Sequence, residues 1–370
     1  SKGISDNISV VDAKGSAVIP GFVDSHTHLI WSGDRSNEMA LRQNGLSYTE
    51  ISQMGGGISK TVRSTRQCTF EELVNIGTNN AKKALMLGTT TLEAKSGYGL
   101  NLESEIAILS AYQLVNSRSN CDIHSTWLGA HDFPTNTTRE DYIDELIHKQ
   151  LPEVCRLGIA RWADVFCEPG WFTVDESKEI LLASNKLGLR PRAHVDEFVD
   201  SNGLAMAADI GCVSADHVAC SSDDARSKAD AAGVMQTFLP GTQYVMGMID
   251  FPPMKSCLEN SWAFSIASDF NPNCNSISMP FVGSLATHRC GIDPIAALVA
   301  STRNPATTFS DGEPPGCGSL TEGGNASLNI LTTNSVEGWC QSPGMNPIAL
   351  TISNGSICLL YTSPSPRDAS

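Results

Sequence analysis

The sequence predicts an α/β protein: a distorted (β/α)8 barrel of the TIM type, with a small β domain built from both chain ends. Three observations carry that expectation. Short β-rich runs alternate with longer helical patterns, the signature of a parallel sheet. About eight such units follow one another, the number that closes a barrel. Histidines and an aspartate recur at the ends of the strand candidates, the face on which barrels build their active sites. An open doubly wound sheet is the competing arrangement, but no G-x-G-x-x-G follows the first strand.

The strand candidates, in order, are Ala17–Ser25, Thr89–Ala94, Asp122–Leu128, Ala163–Cys167, Leu189–Val195, Cys212–Asp216, Val234–Leu239 and Ala263–Ser268. Helices are expected between them at Phe70–Leu87, Leu102–Ser117, Arg139–Leu157, Val174–Leu187, Ser201–Ile210 and Ser221–Ala232. The first shows the logic: Phe70, Leu73, Val74 and Ile76 fall near one face, Thr69 is an N-cap, and Gly88 follows as a stop. Residues 1–16 and 316–359 are rich in Gly, Ser, Thr and Asn with brief apolar alternations, such as Ser327–Leu331 and Leu350–Ser353. They read as short antiparallel strands forming the small β domain, which leaves 17–315 for the barrel. Residues 360–370 are Pro-rich and polar, resemble translated adapter sequence, and are expected to be non-native.

Composition narrows the function. Of 370 residues, 25 are Lys or Arg and 40 are Asp or Glu, a formal charge of −15. An acidic chain lacks the positive field needed for broad nucleic-acid or anionic-membrane binding. Apolar residues at 41% support a large core, and no apolar run approaches a membrane span. Twelve cysteines are scattered from Cys68 to Cys358 with no C-x-x-C pair, and no signal-like segment opens the chain. A reduced, cytoplasmic enzyme acting on a small molecule is the expectation.

The chemistry gathers at the strand ends. His26 and His28 follow the first strand in Val18-Ile-Pro-Gly-Phe-Val-Asp-Ser-His-Thr-His-Leu29. Side chains at i and i+2 share one face of an extended segment, so both imidazoles can reach one metal, although a bare H-x-H also occurs on polar surfaces. His131 follows the third strand, His194 ends the fifth, His217 ends the sixth and Asp269 ends the eighth. Five of the eight histidines thus fall on one face, which points jointly to a metal site. Imidazole and carboxylate ligands without thiolate suit Zn2+ or iron. Asp269 also fits a turn or N-cap. His124, His148 and His288 read as mid-strand, helix-surface and late-helix residues without a role in the site.

The set His26-x-His28, His194, His217 and Asp269 resembles the amidohydrolase superfamily of metal-dependent hydrolases. The likeness is closest to its imidazolone-hydrolysing branch, through Ser32-Gly-Asp-Arg-Ser36, Gly55-Gly-Gly-Ile58, Lys95-Ser-Gly-Tyr-Gly-Leu100, Leu128-Gly-Ala-His131, Asp164-Val-Phe-Cys-Glu168, His194-Val-Asp-Glu-Phe198 and Ser268-Asp-Phe-Asn-Pro272. It runs from about residue 10 to 355 and implies hydrolysis of an imidazolone propionate in histidine degradation. The resemblance also implies His26, His28, His194 and Asp269 as metal ligands, with Asp269 doubling as a proton shuttle. It implies Glu197 as the residue orienting or deprotonating water and His217 as the group stabilising the oxyanion. Arg35, Tyr98, His131 and Asn271 would bind substrate, Arg35 by gripping the propionate. Read alone, Arg35 is more often a surface charge, and Tyr98, beside Gly97 and Gly99, more often a loop anchor.

Binuclear members often carry a carboxylated Lys at the end of the fourth strand. Here that strand ends Val165-Phe-Cys-Glu-Pro169, so one metal per chain is expected, Zn2+ or Fe3+. The family has a longer N-terminal part of the small β domain, so truncation is expected there. It also has Gly where this chain has Asn273. The resemblance suggests a homodimer. Another cyclic-amide hydrolase of the same superfamily, or an aminohydrolase such as a guanine- or cytosine-type deaminase, is the alternative function, and a catalytically silent scaffold protein a more distant one.

Overall fold

The computed structural model describes residues 10–310 and 316–360. Twelve strands form two sheets. The small one is antiparallel, β1 (Val18–Pro20), β10 (Leu328–Leu331), β11 (Ile348–Ser353) and β12 (Ser356–Leu360). The large one is parallel and runs in chain order: β2 (Phe22–Asp24), β3 (Thr89–Lys95), β4 (Asp122–Ala130), β5 (Trp162–Cys167), β6 (Arg190–Val195), β7 (Ser214–His217), β8 (Met235–Phe238) and β9 (Phe264–Ile266).

The barrel is distorted at its seam. Strands β9 and β2 do not pair directly. Closure comes from a parallel bridge between Thr27 and Phe270, just beyond their ends. Lower down, Val23 N–H donates to Ser301 O (3.0 Å), and Ser268 N–H donates to Asp24 Oδ1 (3.0 Å). Burial pushes the Asp24 carboxyl up to about 7 despite the hydrogen bonds from Ser268.

All eight predicted barrel positions hold a strand, with one correction. Ala17–Ser25, expected as one strand, is two strands in two sheets. β1 pairs with β10, and the chain then crosses at Gly21 into the barrel as β2. A Cβ at Gly21 would overlap the Thr90 side chain, so this crossing needs glycine. The first strand of the small sheet therefore lies after residue 16, inside the span assigned to the barrel. Residues 1–9, 311–315 and 361–370 lie outside the described residues.

Helices cover the outside. α4 (Phe70–Met86) starts with the expected cap: Thr69 Oγ1 accepts from Glu72 N–H, and Glu72 Oε2 accepts from Thr69 N–H at 2.7 Å. Phe70, placed on the apolar face by its spacing, is exposed, because the first turn overhangs the core. α5 (Leu102–Arg118), α8 (Val174–Lys186), α9 (Gly203–Ile210) and α10 (Asp223–Ala231) match expectation within two residues. The stretch 139–157 is helical throughout, but a wide π turn at Leu146–Gln150 separates α6 (Arg139–Glu145) from α7 (Leu151–Leu157). Pro152 explains it, since its missing N–H and its ring cannot fit the regular spacing.

Several short helices escaped the periodicity argument. α1 (Asn37–Gln43), α2 (Tyr48–Gln53) and α3 (Gly57–Thr65) form an insertion after β2. α11 (Pro240–Met246), α12 (Met254–Glu259), α13 (Met279–His288), α14 (Pro294–Ala300) and α15 (Arg303–Ala306) occupy the last third of the barrel. A helix of two turns shows too few repeats for a period to be read. No helix among the described residues is long and apolar enough to cross a membrane.

Candidate active site

The C-terminal rim of the barrel gathers the predicted residues. Beyond β2 the chain stays extended, so Thr27 faces the wall while His26 and His28 face inward. Thr27 Oγ1 donates to Glu93 O (2.6 Å), and Thr27 O accepts from Lys95 N–H (2.9 Å). His194 lies in β6, His217 ends β7, and Asp269 follows β9. His217 and Asp269 adopt left-handed backbone, at φ 70° and 49°. Non-glycine residues there carry about 1–2 kcal/mol of strain, here at the points where strand ends turn side chains inward.

His26, His28 and His194 bring ring nitrogens within 4.8 Å of one another, and His26, His217 and Asp269 form an overlapping group. Asp269 Oδ1 lies 3.5 Å from His26 Nε2 and 3.8 Å from His28 Nε2. The Nε2 atoms of His26 and His194 are buried with no hydrogen-bond partner. Orphaned imidazole nitrogens converging beside a carboxylate fit a cation, because that donor set offers lone pairs and few protons. Electrostatics agree. Burial first, then the crowding of the imidazoles on one another and on Lys95, hold His26, His28 and His217 well below the usual histidine range. Neutral imidazole is the form that ligates. Burial raises the Asp269 carboxyl, opposed by hydrogen bonds from Thr242 and Asn271.

Behind His26 and His194 stand two aspartates that sequence reasoning did not single out. Asp216 Oδ2 lies 2.7 Å from His26 Nδ1, and Asp164 Oδ2 lies 3.0 Å from His194 Nδ1. Carboxylates in this position fix the ring orientation and tautomer of metal-binding histidines. Their signal was slight: Asp216 directly precedes His217 and Asp164 opens the segment Asp164–Glu168, but the histidines they face lie on other strands.

A cavity opens above the cluster. Every predicted residue lines it except His26, which lies fully buried beneath. Arg35 is no surface charge: it is buried, lies 2.9 Å from Glu38 through Nη2, and sits over the Tyr48 ring. Tyr98 packs against His28 and His131, at centroid distances of 5.5 and 5.2 Å. His131 Nδ1 lies 2.9 Å from Gly97 O. Gly97 has φ 101°, and a Cβ there would strike His131.

Asn271 works as a loop anchor at the cavity edge. Its Nδ2 donates to Asp269 O (2.8 Å), and its Oδ1 accepts from the backbone N–H groups of Asn273 (2.7 Å) and Cys274 (3.0 Å). Asn273 is accommodated because its φ is not positive, and its Oδ1 accepts from Arg42 Nη1 at 2.7 Å.

Glu197 is buried beside His217, with Oε2 3.5 Å from His217 Nε2. Burial raises its carboxyl well above the usual range, and Asp269 and Glu168 push the same way. Glu168 Oε1 accepts from the Glu197 backbone N–H.

Sequence reasoning missed Tyr48, Ile58, Phe166 and Thr242 among the lining residues. Ser47-x-x-Glu50 is a capping box that marks the start of α2 and so the position of Tyr48. The three histidines set aside stay out of the cavity: His124 pairs with Asp122 (3.1 Å), His148 with Asp144 (2.9 Å), and His288 ends α13.

A barrel whose rim carries H-x-H, a histidine from the fifth strand and an aspartate after the eighth defines a metal-dependent amidohydrolase. Residues 9–70 match the profile described as "Amidohydrolase family". A 5-methylcytosine deaminase from Klebsiella pneumoniae superposes with a TM-score of 0.73, covering 97% of this chain and 92% of that one at 17% identity, a likeness of fold. Curated imidazolonepropionases are closer in sequence. That of Symbiobacterium thermophilum is 40% identical over 352 residues, 94% of this chain and 82% of that protein. That of Haloarcula marismortui is 38% identical over 348 residues, with 94% and 82% covered. The chain belongs to the imidazolonepropionase family.

Proposed function

We propose that this cavity hydrolyses 4-imidazolone-5-propanoate to N-formimidoyl-L-glutamate, a step of L-histidine degradation, with one Zn2+ or Fe3+ per chain. The observation that carries the reading is the placement of Arg35. A permanent cation is buried in the wall of the cavity that also holds the histidine–aspartate cluster. A propionate-bearing ring needs both features, and a neutral base such as guanine or cytosine needs only the cluster.

In this reading His26, His28, His194 and Asp269 hold the ion. When bound, it supplies Lewis acidity, which activates water near neutral pH and polarises a carbonyl. Arg35 receives the propionate, with Tyr98 and His131 flanking the ring and Asn271 fixing the loop beside it. Water adds to the ring carbonyl carbon. His217, held neutral by burial, donates a ring N–H to the carbonyl oxygen as negative charge develops there. The adjacent ring C–N bond then breaks. Asp269 Oδ1 takes the proton lost by water and passes it to the departing nitrogen, with Glu197 orienting the water and assisting the transfer.

The partners are then a small molecule and water, without nucleic acid or membrane, in a cytoplasmic enzyme. A homodimer is the assembly the family resemblance supports. The test is kcat/KM of the metal-loaded protein on imidazolone propionate, guanine and cytosine. Turnover of the first alone is expected. Turnover of a base, with none of the imidazolone, would overturn the reading.

A further inference from the structure

One buried ammonium connects the two aspartates behind the histidine ligands. We infer that Lys95 is a positioning residue of the metal centre: its Nζ holds Asp164 and Asp216, and these carboxylates fix the rings of His194 and His26. The inference rests on reading His26 and His194 as ligands.

Lys95 is the last residue of β3, and Glu93 lies two positions earlier on the same inward face. Lys95 Nζ is 2.6 Å from Asp164 Oδ2, 2.9 Å from Glu93 Oε1 and 3.5 Å from Asp216 Oδ2, all with fully buried side chains. Asp164 belongs to β5 and Asp216 to β7, neither of which neighbours β3. The ammonium therefore reaches through the barrel interior to hold both at once.

The oxygens it holds are the ones the histidines use. Asp164 Oδ2 also faces His194 Nδ1, and Asp216 Oδ2 also faces His26 Nδ1. An ammonium has three donors and no acceptor, so each shared oxygen acts as an acceptor on both sides. In the His26–Asp216 hydrogen bond the proton then belongs to Nδ1, which leaves the lone pair on Nε2. Asp164 Oδ2 approaches His194 Nδ1 to 3.0 Å without hydrogen-bond alignment, an ion-pair contact that favours the same tautomer there. Both Nε2 atoms are buried and without a hydrogen-bond partner, which at His26 is what that tautomer requires.

Lys95 is thus neither a ligand nor a carboxylated bridge. A carbamate at Nζ would place a further negative group among Asp164, Asp216 and Glu93. Without the ammonium, two buried carboxylates would face each other with nothing between them, and their contacts to the imidazoles would loosen.

The experiment measures Zn2+ affinity of the stripped and reloaded full chain by competition with a chromophoric chelator, together with Tm of the stripped protein. Lys95→Met should weaken Zn2+ binding by about 10–100-fold, the usual effect of losing an outer partner of a metal ligand. In an Asp164→Asn/Asp216→Asn background the same change should add little, because Lys95 acts through those carboxylates. Undiminished affinity in folded Lys95→Met, or an equal factor in both backgrounds, would overturn the inference.

If Lys95→Met does not fold, 15N NMR of histidine-labelled, stripped wild type decides. Protonated Nδ1 at both His26 and His194 supports the arrangement, and protonated Nε2 at either one refutes it. Wild type that binds no Zn2+ would instead bring down the metal-site reading itself. Binding that is lost in His26→Ala but kept in Lys95→Met brings down only the role of Lys95.

Discussion

Arg35 and Glu38 form a buried ion pair, with Nη2 and Oε2 2.9 Å apart in the cavity wall. Glu38 Oε1 accepts in addition from Gly57 N–H at 3.0 Å, which ties α1 to the start of α3. The pair therefore has two jobs, holding the insertion together and presenting a guanidinium to the cavity, and they can be separated.

Arg35→Ala should lower kcat/KM on imidazolone propionate by about 30-fold to several thousand-fold, corresponding to about 2–5 kcal/mol for a carboxylate losing its buried partner. It should also destabilise the fold by about 3–5 kcal/mol, because Glu38 is left buried and unpaired. Arg35→Met combined with Glu38→Gln should recover Tm without recovering activity. A neutral imidazolone should be turned over equally well by the double variant and wild type. An equal loss on both compounds would assign Arg35 to the fold alone.

His217→Ala should retain the metal while kcat falls by about 10²–10³, as for loss of a donor to a developing oxyanion. The left-handed backbone at position 217 adds some instability to the variant, so its Tm is measured alongside. Loss of metal would make His217 a ligand, as its grouping with His26 and Asp269 permits.

Metal analysis should find close to one Zn or Fe per chain. The proposed assignment uses one set, His26, His28, His194 and Asp269, drawn from two overlapping groups at the rim, and the fourth barrel strand runs into Glu168, not a lysine. Two tightly held ions per chain would contradict this.

The stripped protein should lose stability as pH rises from 4.5 towards 7, in part through Glu168. Burial raises this carboxyl from 4.5 to about 7, against hydrogen bonds from the Glu197 and Phe198 backbone. A raised folded-state value means the unfolded chain releases its proton first. The contribution of Glu168 is therefore complete below pH 4.5 and lost by the time pH passes about 7. Glu168→Gln should flatten the Tm profile across that window. An unchanged slope would show that Glu168 is ionised throughout.

The sequence alone determined the barrel and most of its site. Each barrel strand falls in a short β-rich run alternating with a longer helical pattern, and that pattern depends on local order. H-x-H in an extended segment fixes two imidazoles on one face without reference to the rest of the chain. Chain order also put His194, His217 and Asp269 at the ends of later strands, and a barrel brings all strand ends to one rim.

Tertiary structure decided what depends on contacts between strands far apart in sequence. The splitting of Ala17–Ser25 follows from pairing with Leu328–Leu331 and from the close pass of Gly21 over Thr90. Neither is a local property. Arg35 could not be told from a surface charge until α1 to α3 folded over it, because those helices are too short to show a period. Asp164 and Asp216 lie 69 and 121 residues from Lys95 along the chain. In one dimension nothing links them: Lys95 follows Glu93, Asp216 precedes His217, and Asp164 stands alone in its strand. Only a closed barrel, whose strands of like register point into one interior, makes them neighbours and gives the histidines their backing.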